Sequence, residues 1–75
     1  MQVTIKFGPG NSVTTEKFVS GSTVGDLSAD DSIRSALGYG DDVQFHMHGQ
    51  DMPEHVQLQN GDVVTVVQAP GKKGS

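Results

Sequence analysis

Leu58-Gln59-Asn60-Gly61-Asp62-Val63-Val64-Thr65-Val66-Val67-Gln68-Ala69-Pro70-Gly71-Lys72-Lys73-Gly74-Ser75 is the stretch whose reading decides the fold. Asn60-Gly61 supplies residues that tolerate positive φ, as a tight turn into a strand requires. Five of the six residues after Asp62 are β-branched, so alternate side chains face a core while the others meet a second surface. Pro70 then removes a ladder donor, and Gly71 and Gly74 loosen the backbone. The stretch therefore reads as a turn, a buried strand and a terminal tail over 70–75.

The totals set bounds on the rest. A chain of 75 residues makes one small domain, here expected over 1–69. Such a chain buries about 60% of its unfolded surface, around a core of about ten side chains. With no cysteine, neither a disulfide framework nor a cysteine-based zinc site supports it. Net charge is −4, and the basic residues Lys6, Lys17, Arg34, Lys72 and Lys73 form no stripe. That pattern offers no phosphate footprint, so no nucleic-acid partner is expected. No apolar run approaches the roughly 20 residues of a membrane span, and no signal-peptide core is visible. A cytoplasmic monomer without a membrane partner is the expectation.

Working back from the last strand, Gln2 to Phe7 alternates, with Val3, Ile5 and Phe7 on one face and Gln2, Thr4 and Lys6 on the other. Gly8-Pro9-Gly10-Asn11 is a turn. Ser12 to Val19 reads as a second antiparallel strand, with a bulge to reconcile the opposed parities of Val13 and Phe18. Thr23 and Asp26 have capping-box spacing, and Ser28-Ala29-Asp30-Asp31 interrupts the apolar stripe of Val24, Leu27, Ile33 and Leu37. The chain's one helix is thus expected as two short turns, 23–28 and 31–37, stopped by Gly38 as a left-handed cap. Asp30 and Asp31 suit a helix start through the dipole. Val43 to His48 alternates again, with Val43, Phe45 and Met47 inward and Gln44, His46 and His48 outward. Gly49 to Pro53 reads as a turn, and Glu54 to Leu58 as a short edge strand or a connection.

A hairpin, a helix and two further strands specify an α+β fold: a mixed sheet of four or five strands with one helix packed on one face. The two most apolar strands, first and last, pair in parallel at its centre. This is the β-grasp arrangement. The chain resembles the ubiquitin-like β-grasp family through Thr23-Val24-Gly25-Asp26-Leu27, Val43 to Gly49, and Leu58 to Val64. It is most similar to the small sulfur carriers of thiamin and molybdopterin synthesis and to their phage- or plasmid-borne relatives. In carrier and modifier members the chain ends in Gly-Gly, and an activating enzyme adenylates the terminal carboxylate. Here Gly71 is followed by Lys72-Lys73-Gly74-Ser75, so conjugation would require processing to Gly74 or Gly71.

Two further groups of residues bear on function. The resemblance implies a protein-binding outer sheet face, lined here by Thr4, Lys6, His46, His48 and Gln68. His46 and His48, two apart on a strand, share a face, and a site for zinc, copper or nickel there would draw on His55, Asp51 or Glu54. No further ligand has diagnostic spacing, so they are read as solvent-facing, with no metal and no cofactor. No nucleophile–base pair, phosphate loop or carboxylate pair stands out, so the protein is read as no enzyme. The expected function is a protein-interaction or adaptor module with protein partners, an activating enzyme being the one the resemblance implies. The alternative is a sulfur carrier or modifier activated at a processed C-terminal glycine.

Overall fold

The valine run Asp62–Gln68 is the central strand, β5, of a five-stranded mixed sheet. The structure, a computed structural model, describes residues 1–40 and 42–69; the tail expected over 70–75 lies outside them. The other described elements are β1 (Val3–Phe7), β2 (Ser12–Thr15), α1 (Val24–Ser28), α2 (Asp31–Leu37), β3 (Val43–Met47) and β4 (Gln50–Asp51), and the strand order is β2-β1-β5-β3-β4. β1 runs parallel to β5, from Val3↔Asp62 to Phe7↔Val66, and β3 runs antiparallel on its other side. Val3, Ile5 and Val64 are fully buried in one core with Val24 and Leu27 of α1 and Ile33 and Leu37 of α2. No helix among the described residues is long and apolar enough to cross a membrane.

A two-pronged clamp closes the start of the parallel pair. Gln2 donates its N–H to Asn60 Oδ1 at 2.7 Å, and Gly61 donates its N–H to the Gln2 carbonyl at 2.7 Å. Gly61 has φ +89°, which a glycine adopts without steric cost. A turn there was expected, and its hydrogen bonds reach across to β1.

The helical layer follows its caps. Thr23 and Asp26 form the reciprocal capping box. Asp30, with extended backbone, accepts from the Ile33 N–H at 3.0 Å and starts a second helix. The two short turns expected over 23–28 and 31–37 are thus separate helices, because the Asp30 cap satisfies the amide end of α2 independently. Gly38, at φ +83°, ends α2 as anticipated.

Three expectations are corrected. β2 stops at Thr15 and does not run to Val19. The Thr15 hydroxyl accepts from the Lys17 N–H at 3.2 Å, which turns the chain off the sheet. Phe18 enters the core from that irregular segment, 5% exposed, so no bulge is needed to set its parity. β4 occupies Gln50–Asp51, inside the expected turn, and pairs with His46 and Met47. Glu54 to Leu58 is a connection with one isolated bridge, Thr23↔Gln57. Its carbonyls serve the start of α1: Val56 accepts from Val24 N–H and Glu54 from Gly25 N–H, both at 2.9 Å. Tyr39, read as part of a turn, is buried, edge-on to Phe7 at 5.6 Å and to Phe45 at 6.1 Å.

Two features generate measurable consequences. Lys17 Nζ lies 2.7 Å from Asp30 Oδ2. This hydrogen bond first, and the Ile33 N–H after it, hold the Asp30 carboxyl below its ordinary range against the opposing effect of burial. A depressed folded pKa gives stability that is present above the unfolded carboxyl's value of about 3.9 and is lost as pH falls through the folded one. Urea unfolding of Lys17→Met should show a deficit at pH 7 that narrows toward pH 3; a constant deficit would refute this coupling. The second feature is His48, at φ +54° beside Gly49 at φ +77° in the two-residue β3–β4 turn. Both positions having positive φ favours Asn-Gly. His48→Asn should raise unfolding free energy by about 0.5 kcal/mol, and a loss on urea denaturation would contradict this account of the turn.

Candidate interaction face

The two faces of the sheet part company at the side-chain alternation. Val3, Ile5, Phe45, Met47, Val64 and Val66 are buried on the helix side. The opposite face therefore receives Thr4 and Lys6 from β1, Val63, Thr65 and Val67 from β5, and Gln44 and His46 from β3. Strand register then orders these residues. Lys6 and His46 both pair with Thr65, Ser12 pairs with Lys6, and Asp51 pairs with His46. One row thus crosses all five strands: Ser12, Lys6, Thr65, His46, Asp51. A neighbouring row holds Thr14, Thr4 and Val63, and the Thr4 and Thr14 hydroxyls are 3.0 Å apart.

This face presents apolar side chains, hydroxyls and charge. Lys6 and His46 stand two strand spacings apart, about 10 Å, on either side of Thr65. His46 Nε2 is 3.1 Å from Gln44 Oε1, a contact that orients the imidazole along its own strand. Val63 is 46% exposed, an apolar side chain beside Thr4 near the start of the central strand.

Of the residues expected on this face, Thr4, Lys6 and His46 come together. Gln68 does not, because it shares the parity of Val64 and Val66 and pairs with Val43 at the end of β5. His48 lies beyond the end of β3 in the left-handed turn, so strand alternation no longer sets it beside His46. Gly71 and Gly74 lie outside the described residues. Val63, Thr65 and Val67 were missed as face residues. Their signal was their odd positions in the valine run, but a run apolar on both faces does not reveal which set is covered.

The remaining candidates resolve differently. Among the described residues, no group of three or more His, Cys, Asp or Glu side chains is gathered so as to hold a metal ion. A cavity of about 240 Å³ opens on the helix side of the sheet, lined by Val24, Arg34, Tyr39, Phe45, Met52 and Glu54 among others. The Tyr39 hydroxyl is buried with no hydrogen-bond partner among the described residues, and burial pushes its pKa up.

Comparison with known proteins adds no relative: no protein-family model matches the chain, and no curated protein matches it.

Proposed function

We propose that the chain is a ubiquitin-like β-grasp protein that works without catalysis, as a module docking other proteins on the outer face of its sheet. The observation that carries this reading is Val63, nearly half exposed near the start of the central strand, on a sheet face opposite the helices. With the half-buried Val67 it adds apolar area to a face otherwise made of threonines, a lysine, a glutamine and an imidazole, a mixture that protein interfaces use. The parallel pairing of the first and last strands, with helices across one face, supports the β-grasp assignment. The protein is read as a cytoplasmic monomer without cofactor, metal or nucleic acid, and its partners are proteins.

Activation at a processed Gly71 or Gly74 is the second reading. What favours it is that residues 70–75 follow almost directly on β5, the central strand.

Photocrosslinking in the native cell separates these readings. A benzophenone amino acid at position 63 should capture protein partners, whereas the same group at Ser35, exposed on α2, should not. Val63→Thr combined with Lys6→Glu should weaken the captured interaction at least about tenfold and shift stability by no more than about 1 kcal/mol. Equal capture at both positions would overturn the face reading. Intact mass decides the second: a species ending at Gly71 or Gly74, or a covalent adduct there, would establish conjugation.

A further inference from the structure

The turn that opens β5 contains the chain's one Asn-Gly pair; the other asparagine, Asn11, precedes Ser12. Asn-Gly is chemically reactive because glycine has no Cβ to shield its backbone nitrogen. That nitrogen attacks the asparagine Cγ and forms a new N–Cγ bond. The Cγ–Nδ2 bond breaks, and Nδ2 leaves as ammonia with the proton from the backbone nitrogen. Water then opens the cyclic imide at either carbonyl, giving aspartate or isoaspartate. Both Asn60 and Gly61 are exposed, and a Cβ placed at Gly61 would meet nothing within 4 Å. Sterics and solvent access therefore leave the site open to this chemistry.

Hydrogen bonding opposes it. The attacking atom, Gly61 N, has its proton donated to the Gln2 carbonyl at 2.7 Å. The amide under attack is held through Oδ1, which accepts from the Gln2 N–H at 2.7 Å. The turn is closed on both flanks as well: Gln59 N–H donates to Asp62 Oδ2 at 2.7 Å, and Asp62 N–H to the Gln59 carbonyl at 3.1 Å. Nucleophile and electrophile are thus each tied to the backbone of one β1-flanking residue. Ring closure has to break both ties.

We infer that Asn60-Gly61 is a latent self-modification site, locked by the Gln2 clamp and released when the start of β1 lifts off β5. The isoaspartyl product adds a methylene to the main chain two residues before the Val3↔Asp62 register begins to propagate along β5. Reclosure of the parallel pair is then out of step, so one opening event leaves a permanent mark.

The test follows Asn60 conversion in the full chain at neutral pH by peptide mapping with isoaspartyl methyltransferase labelling. In concentrated urea Asn60 should convert at least about tenfold faster than in the folded protein, and faster than Asn11 in the same sample. Amide hydrogen exchange at Gly61 should show a protection matching that rate suppression to within about threefold. Gln2→Pro, which removes the N–H that holds Oδ1, should accelerate Asn60 conversion and leave Asn11 unchanged. Equal rates folded and unfolded, or strong suppression with an unprotected Gly61 amide, would overturn the inference. The exchange measurement needs only the wild-type chain, so it decides the matter even if the proline variant does not fold.

Discussion

Parallel pairing of β1 with β5 is the constraint on which the rest of this fold depends. Two adjacent parallel strands cannot be joined by a tight turn, so the chain between them must travel over the sheet and return. Here that crossover is nearly the whole protein, from Gly8 to Gly61. Its contents follow from the need to cover one face of the pair: β2 borders β1, the two helices lie over Val3, Ile5 and Val64, and β3 closes the far side of β5. Because these contacts join the chain's beginning to its end, their loop-closure entropy is large and comes before any packing gain. The Gln2 clamp on Asn60 and Gly61 stands where that closure is completed. Its two hydrogen bonds, one to the Asn60 side chain and one between backbones, tie the residue before β1 to the turn before β5.

What was legible in the sequence was whatever short-range chemistry determines. Thr23 with Asp26, Asp30 before α2, and Gly38 after it each act within one turn of helix, and each does what its residue type suggests. Alternation in Val3–Phe7 and Val43–Met47 was equally direct, because each strand has one covered face. The expectations that failed depended on partners distant in the chain. The end of β2 is tied to the Thr15–Lys17 turn and to the bridge from Lys17 to Asp30 in the helical layer. β4 is two residues long, too short to show a period, and exists because His46 and Met47 pair with it. Tyr39 sits among turn residues in sequence, yet its ring is held between Phe7 and Phe45.

The candidate site was half legible for the same reason. Thr4, Lys6 and His46 lie on strands whose inward residues are plainly apolar, so their outward direction could be read. β5 offered no such contrast. Val63 and Val67 differ from Val64 and Val66 only in parity, and parity acquires meaning only when register places Val63 beside Thr4 and Val64 beside Ile5. His48 shows the opposite error. Its spacing from His46 is right for a shared face, but the turn captures it at φ +54°, and hairpin geometry overrides strand alternation.

β5 consequently carries two roles that differ by one residue in phase. Even-numbered valines hold the core, where a lost methyl group leaves a cavity and costs stability. Odd-numbered residues carry no comparable packing role, and Val63 in particular is partly open to solvent. Folding alone would accept Thr at position 63 as readily as Val, since both are β-branched and strand-compatible. A valine there therefore adds apolar surface beyond what the strand requires. An apolar side chain that folding does not demand, one row from Lys6 and His46, distinguishes the outer side of β5 from the core beneath it.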